Sequence, residues 1–185
     1  MSSKAKTNKF LKEAFSTGVY FLVVFLLAAF VLKFVGQRSV VDGSSMNDTL
    51  FNGESVWVNK FTYRFNDPER FDVVVFPYKY AENTFFIKRI IGLPGETVQI
   101  LEDGSILING EVLEENYGKE VIRADRLGTA AEPVTLGENE YFVMGDNRND
   151  SMDSRYPNVG PVTKDEFIGK AVFRLFPVTK MGGID

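Results

Sequence analysis

The sequence contains no cysteine and no histidine. Without cysteine there are no disulfide bonds and no thiolate metal sites, and without either residue type a zinc site is not expected. A Ser-His-Asp triad and a Cys-His pair are excluded for the same reason. Covalent hydrolytic chemistry would therefore need a serine or threonine nucleophile, with lysine, aspartate or glutamate as its base.

Positive charge is scarce outside the N-terminal region. Residues 1–13 hold four lysines and one glutamate, whereas from Gln37 onward 16 lysines and arginines stand against 24 aspartates and glutamates, a net charge of −8. An acidic domain without a basic stripe is a poor binder of nucleic acid. We therefore expect no nucleic-acid partner.

One long apolar run dominates the N-terminal part of the chain. Residues 14–32 include no charged side chain, and Phe34 and Val35 extend the run past Lys33. About 20 apolar residues cross a bilayer as a helix, and a lysine at the end of such a helix reaches the interface with its ammonium group. We predict a transmembrane anchor at residues 14–35.

The preceding lysines predict that residues 1–13 lie in the cytoplasm and residues 36–185 outside, as an extracytoplasmic domain at the cell membrane. A buried core helix and a cleavable secretory signal are the alternatives to the anchor. The run is longer than the apolar region of a signal peptide, which is about 7–15 residues, and no small-x-small cleavage site follows it. A retained anchor is therefore favoured.

Beyond the run, the pattern predicts a mostly β domain with an antiparallel sheet. Short runs rich in valine, isoleucine and phenylalanine alternate with turn signals such as Asp103-Gly104 and Asn109-Gly110. Residues 114–138 are polar and irregular, and a short turn is expected near residues 163–167. The predicted strands cover residues 55–59, 72–76, 84–91, 97–101, 105–108, 111–113, 140–144 and 169–176.

The stretch from Val41 to Leu50 holds Ser45, the best nucleophile candidate in the chain. Ser45 lies in a cluster of glycine, serine, asparagine and aspartate. Such a cluster is more often turn chemistry than a catalytic site, so local composition leaves both interpretations open.

Lys88 is the unusual residue of a strand that reads F-F-I-K-R-I-I. Strand alternation puts Phe86, Lys88 and Ile90 on one face. A lysine there is either at a sheet edge, where it discourages aggregation, or removed from water. Burial would lower the pKa of Lys88 and allow its neutral amine to take a proton from a serine.

The segment from Gly145 to Arg155 is the third dense polar region, and it follows an apolar strand. Its D-N-R-N-D-S pattern is similar to the spacing of calcium ligands. It lacks the downstream glutamate and the loop length of an EF-hand. A hydrogen-bonded network that orients other groups is the favoured interpretation, and no metal site is predicted.

Together these segments resemble type I signal peptidases, membrane-anchored Ser/Lys proteases. Residues 43–50 resemble the family's G-x-S-M-x-P-T-L motif, and residues 70–76 resemble R-G-D-x-V-V-F. Residues 87–95 match K-R-x-x-G-L-P-G, and residues 145–155 match G-D-N-R-x-x-S-x-D-S-R. Four motifs in the same order, behind an N-terminal apolar run, make the resemblance specific.

The resemblance implies that Ser45 is the nucleophile, that Lys88 is the general base, and that Ser151 donates a hydrogen bond that orients the lysine amine. The backbone N–H of Ser45 would stabilise the oxyanion. Cleavage would follow small residues at positions −1 and −3 of signal peptides, which lie in exported preproteins. The family needs no cofactor, and it works at membrane lipid near the secretion translocon.

The resemblance also implies supporting roles. Asp153 would pair with Arg155 to hold this segment against the site, while Asp146 and Arg148 shape the loop. The walls of the substrate pockets would be Val41, Met46, Leu50, Val56, Val75, Phe86 and Ile87.

The sequence departs from the family pattern at several positions. Asp48 stands where the family usually has proline, Gly43 where some members have a serine that completes the oxyanion hole, and Phe71 where the second motif has glycine.

Two other functions remain alternatives. A non-catalytic assembly factor, for example in pilus biogenesis, would keep the β fold and lose the serine or the lysine, whereas both are present here. A self-cleaving repressor-type Ser/Lys protease would be soluble and bind DNA, in contrast to the apolar run and acidic charge of this chain.

Overall fold

The computed structural model describes residues 2–118 and 120–184, with the side chains of residues 2–11, 32 and 33 left out. The predicted position of the Lys33 side chain at an interface therefore lies outside the described residues. The chain divides into two compact units, residues 1–36 and 37–185, which are considered separately.

The first unit is one long helix, α1, from Ser2 to Phe30, followed by a π-helical turn at Val31–Val35. Its segment Lys12–Phe30 is 19 residues long, has a mean hydropathy of 1.9 and buries none of its side chains. A helix that is apolar on every side and exposed lacks the packed face of a core helix. The prediction of one apolar helix long enough to cross a membrane is confirmed, and the core-helix alternative is wrong.

The second unit is built mainly from strands, as the sequence predicted. Irregular segments with short 3₁₀ turns connect the strands. One of these turns, Lys164–Glu166, begins with a capping box formed by Thr163 and Glu166. Among the described residues the strands are β1 (Gly36–Val40), β2 (Ser55–Asn59), β3 (Val73–Pro77), β4 (Phe85–Gly92), β5 (Thr97–Ile100), β6 (Ile106–Ile108), β7 (Glu111–Val112), β8 (Val134–Thr135), β9 (Glu140–Met144), β10 (Val162–Thr163), β11 (Gly169–Phe176) and β12 (Gly182–Gly183).

The strands form two sheets. The larger follows the order β1-β2-β11-β3-β4-β9-β10, with β12 paired to β11, and the smaller follows β7-β6-β5-β8. The pairings from β2 to β12 are antiparallel, which confirms the predicted fold class. The strands β1, β8, β10 and β12 were not predicted. Two residues are too few to show a hydrophobic period, and β1 reads G-Q-R-S-V, with one apolar side chain.

Strand β4 lies inside the larger sheet, between β3 and β9. Lys88 is opposite Val74 of β3, and Arg89 is opposite Val73 of β3 and Met144 of β9. Strand β9 pairs with β4 only from Arg89 onward, so Lys88 has a strand partner on one side. Both cations are nevertheless removed from water, with exposed fractions of 3% for Lys88 and 0% for Arg89, so the interpretation of Lys88 as a solvent-facing edge lysine is wrong.

Candidate active site

The segment between β1 and β2 folds into overlapping backbone turns that hold Ser45. The Asn47 N–H donates to the Ser44 carbonyl at 3.0 Å, and the Leu50 N–H donates to the Met46 carbonyl at 2.7 Å. Met46 and Leu50 are buried in the core beneath β2 and β3. Because burying a large apolar side chain contributes about 1.5–3 kcal/mol, these two residues fix the half-buried Ser45 against the core.

The residue two positions before Ser45 has a backbone conformation that favours glycine. Gly43 has a φ of +104°, where L side chains are strained. Its N–H donates to Oδ1 of Asn52 at 2.9 Å. A serine at position 43 would therefore be strained in this backbone conformation.

Ser45 and Lys88 meet, although 43 residues separate them in the chain. Lys88 Nζ lies 2.7 Å from Ser45 Oγ and 3.1 Å from the Ile87 carbonyl oxygen, to which it donates. It also lies 5.0 Å from the centre of the Phe86 ring. No carboxylate forms an ion pair with Lys88 among the described residues.

The surroundings of Lys88 favour its neutral form. Burial lowers the pKa of Lys88 to about 8, from an ordinary value of 10.5. The negative charges of Asp153 and Asp146 act in the opposite direction, and the positive charge of Arg155 adds to the lowering. At pH 7 about a tenth of Lys88 is therefore an amine that can accept a proton from Ser45, far more than the ordinary pKa would allow.

The next residue of β4 links the serine turn to the Gly145–Arg155 segment. Arg89 is fully buried and donates from Nη2 to Asp146 Oδ2 at 2.9 Å and from Nη1 to the Phe71 carbonyl at 2.8 Å. The same carboxylate accepts a 2.5 Å bond from Thr49 Oγ1, which belongs to the serine turn. Asp146 thus holds β4 and the serine turn together, the shaping role that the resemblance assigns to it.

A second buried ion pair closes the same segment. Arg155 donates to Asp153 through Nε at 2.8 Å and through Nη2 at 2.8 Å, and both side chains are fully buried. Asp153 also accepts the N–H of Gly145 at 3.0 Å. The two ends of the segment are therefore joined through one carboxylate.

Ser151 does not make its expected contact. Its Oγ is buried and has no hydrogen-bond partner among the described residues, so the hydrogen bond to Lys88 is not formed in this structure. Lys88 directs its amine to Ser45 and the Ile87 carbonyl instead. Ser151 does lie close to the site, because a Cβ added to Gly145 would overlap both the Ser151 hydroxyl and the Ser45 carbonyl.

Arg148 does not point to the serine turn. Its guanidinium donates to both carboxylate oxygens of Glu115, one of them at 2.7 Å, and to the Gly145 carbonyl at 3.1 Å. It therefore fixes the irregular 114–138 segment to the loop. Sequence reasoning did not single out Glu115, since a glutamate in a polar segment gives no signal of its partner.

Three further hydrogen bonds that the sequence analysis missed hold the serine turn to the loop. The Asn147 N–H donates to the Ser45 carbonyl at 3.0 Å, and its Nδ2 donates to the Ser44 carbonyl at 3.1 Å. Ser44 Oγ donates to Asp150 Oδ2 at 2.7 Å. The polar density of both segments is the only signal for these bonds, and it does not specify which residues pair.

A cavity of about 370 Å³ opens beside Ser45 and Lys88. The sequence analysis missed other lining residues, among them Asn83, Asp150 and Met152. Five of the seven predicted wall residues line it: Val41, Val56, Val75, Phe86 and Ile87.

The prediction is wrong for Met46 and Leu50, because the serine turn points both side chains into the core. No group of three or more acidic side chains is arranged to hold a metal ion within residues 2–118 and 120–184.

Comparison with known proteins places this geometry in a family. The model of the family described as signal peptidase, peptidase S26, matches residues 14–176. Signal peptidase I T of Bacillus subtilis is 36% identical over 185 residues, which cover 97% of this chain and 92% of the relative. Signal peptidase I of Bacillus licheniformis is 34% identical over an alignment that covers 100% of this chain and 100% of the relative.

A crystal structure of a signal peptidase I from Enterococcus faecalis is 35% identical, covers 57% of this chain and 97% of its own, and superposes with a TM-score of 0.46. The match of the family model extends from the apolar helix through the serine turn, Lys88 and the Gly145–Arg155 segment. The chain therefore belongs to the signal peptidase family, peptidase S26.

Proposed function

We propose that this protein is a membrane-anchored serine endopeptidase that removes signal peptides from exported preproteins, with Ser45 as nucleophile and Lys88 as general base. The observation that most supports it is the 2.7 Å contact between Ser45 Oγ and a lysine amine that is buried without an ion-pair partner among the described residues. This contact supplies a base to a chain that has no histidine.

The first step is acylation. Neutral Lys88 takes the proton of Ser45 as its oxygen attacks the carbonyl carbon of the scissile bond. The oxyanion is stabilised by the Ser45 N–H, which is not a donor in any other described hydrogen bond. Losing one such donor costs on the order of 10²–10³ in rate in other enzymes.

Lys88 then protonates the leaving amine, so the peptide bond breaks and an ester of Ser45 remains. The Lys88 amine is then neutral again. It takes a proton from a water molecule, whose oxygen attacks the ester carbonyl. Lys88 returns this proton to Ser45, and the acid product leaves. Ser151, whose buried hydroxyl has no partner within the described residues, is positioned to orient water or the lysine amine.

The cavity supports a preference for small residues at positions −1 and −3. Its apolar walls, such as Val56 and Phe86, leave a shallow space of about 370 Å³. Strand β9 pairs with β4 from Arg89 onward, so among the described strands the backbone of Phe85–Ile87 has a partner on one side only, β3. The substrate segment before the cut binds extended along this free edge.

Residues 14–35 are the membrane anchor in this proposal, with residues 1–13 in the cytoplasm and the domain of residues 36–185 outside. The lysines before the apolar helix support this orientation. Lipid is then a partner, and preproteins arrive from the nearby translocon. The orientation is tested with one cysteine introduced at exposed Tyr80, since the chain has no cysteine of its own. An impermeant thiol reagent labels this cysteine in intact spheroplasts only if the domain is extracytoplasmic.

The activity is tested by incubating the purified full chain in detergent with a secretory precursor and determining the mass of the products. We expect cleavage after a small residue by the wild type and none by Ser45→Ala, with circular dichroism showing that both are folded. If Ser45→Ala cleaves at the same bond as fast as the wild type, the proposed nucleophile is wrong.

The pH dependence tests the base. Only neutral Lys88 is active, so kcat/KM rises about tenfold per pH unit below pH 8 and levels off above the pKa of about 8. A rate that is flat between pH 6 and pH 8 would contradict Lys88 as the base.

A further inference from the structure

A second cavity lies on the outer side of the Gly145–Arg155 segment. Its volume is about 290 Å³. Asp150 and Met152 line both this cavity and the one beside Ser45, so the two cavities meet at these side chains. The residues that line the second cavity are Arg126, Asp150, Ser151, Met152, Tyr156 and Asn158.

The second cavity contains a hydrogen-bonding group that the protein leaves unused. Ser151 is 9% exposed, and its Oγ is buried without a partner within the described residues. A buried hydroxyl without a partner is costly, so it marks a place where a ligand or water supplies the missing bond. The same hydroxyl lies close to the nucleophile, because a Cβ added to Gly145 would overlap both this hydroxyl and the Ser45 carbonyl.

The chemistry of the first cavity sets the direction of a bound peptide. The segment before the cut occupies the apolar walls beside Phe86 and Ile87. The leaving amine must lie near Lys88, which gives it a proton, and the Gly145–Arg155 segment lies directly beside the nucleophile, because a Cβ added to Gly145 would overlap the Ser45 carbonyl. The chain after the cut therefore leaves the site toward this segment, where the second cavity begins.

Arg126 is the one cation among the described residues that line the second cavity. Its side chain is 43% exposed and interacts with Tyr156, and its ion pair with the exposed Asp125 is long, at 3.6 Å. The acidic residue of the cavity, Asp150, already accepts the Ser44 hydroxyl at 2.7 Å. The exposed part of the Arg126 guanidinium is therefore available to an anionic group in the cavity.

We propose that the second cavity binds the residues immediately after the scissile bond and that Arg126 favours an acidic side chain there. The inference rests on the proposed peptidase activity. It assigns a subsite to the mature part of the preprotein, where Arg126 is a specificity-determining residue. The interaction is partly exposed, so it is modest and weakened by salt.

The test compares precursor peptides of one sequence that carry glutamate, glutamine or lysine at position +1, +2 or +3, with the same three residues at −2 as a control. At low salt we expect kcat/KM to be about threefold higher for glutamate than for lysine at one of the three positions. The ratio of kcat/KM for the glutamate peptide to kcat/KM for the lysine peptide falls to about one in Arg126→Gln and below one in Arg126→Glu. Salt added to about 0.5 M removes most of the difference between the two peptides in the wild type.

Arg123→Gln is the matched control, because Arg123 is also exposed and also pairs with Asp125 but does not line the cavity. It should keep the wild-type ratio. Equal rates for glutamate and lysine in a wild type that cleaves the glutamine peptides would overturn the inference and leave the peptidase proposal standing. A charge effect confined to −2 would also overturn it, and failure to cleave any peptide would remove the proposed function and this inference together.

Discussion

Lys88 and Arg89 are neighbours on β4 with opposite surroundings. Arg89 is fully buried against a carboxylate, a carbonyl and the Tyr117 ring, which lies 3.7 Å from its guanidinium carbon. Lys88 is almost as buried, yet it contacts a hydroxyl, a carbonyl and an apolar ring face. The same strand therefore presents one paired cation and one cation without an ion-pair partner within the described residues.

The difference follows from what each side chain can do with its proton. A guanidinium stays protonated in proteins, so its burial is stable only with an anion nearby. A lysine can lose its proton, and burial lowers the pKa of Lys88 to about 8. The paired residue holds the site together, and the other is available for proton transfer.

The largest expected effect is the loss of activity in Lys88→Met. The substitution keeps the apolar stem and removes the amine, so we expect kcat/KM on a precursor to fall by more than about 10³-fold. Lys88→Arg should be equally inactive, because its guanidinium cannot accept a proton. Activity within tenfold of the wild type in either variant would show that Lys88 is not the base.

Arg89→Met should have the opposite consequence, a large loss of stability. It leaves Asp146 buried without its main partner, and removing one member of a buried pair costs about 3–5 kcal/mol. Urea unfolding of the domain measures the change in free energy. The double variant Arg89→Met with Asp146→Leu should recover part of the loss, and no recovery would mean that packing rather than charge explains the effect.

Lys88→Met should stabilise the fold, in contrast to Arg89→Met. The folded chain releases the Lys88 proton near pH 8, whereas the unfolded chain keeps it to about pH 10.5. The unfolded state therefore binds more protons between these values, and wild-type stability rises with pH across this window. The advantage of Lys88→Met is largest below pH 8, about 3 kcal/mol from the difference in pKa, and it disappears by about pH 10.5.

Comparing urea unfolding of the two proteins at pH 7 and pH 10 measures this change. A difference in stability that does not vary between these pH values would contradict the lowered pKa of Lys88.

Ser44→Ala should give the smallest effect. It removes the 2.7 Å bond to Asp150, which links the serine turn to the loop in an exposed position. Removing one partner of a partly solvated hydrogen bond costs about 0.5–1.5 kcal/mol of stabilisation. We therefore expect kcat to fall by about threefold, with little change in the pH profile of the activity. Asp150→Asn, which keeps an acceptor for the Ser44 hydroxyl, should lose less than Ser44→Ala does.

The alternation of β4 was predictable from the sequence, and so were strands β2 and β9 and the antiparallel architecture. Their runs of valine, isoleucine and phenylalanine are long enough to show a period. The 3₁₀ turn at Lys164–Glu166 was also expected near the predicted place. The structure was needed to show that β4 is a central strand, because no local pattern gives the order of strands in a sheet.

The candidate site was predictable only in part. The motifs identified Ser45 and Lys88 as a pair of interest, and the family resemblance implied the Asp153–Arg155 pair. Met46 and Leu50 were assigned to the pocket because the family resemblance implied it. The direction of their side chains depends on the turn that buries them, and that turn is not visible in the composition.

The sequence by itself determined which chemistry is open to this protein. It has no histidine or cysteine, one long apolar run, and a serine and a lysine within matching motifs. Only the tertiary structure decided which of two adjacent cations lies beside the serine and which pairs with Asp146. The reason is physical, because a pKa and an ion pair depend on burial and on contacts between segments that are more than 40 residues apart in the chain.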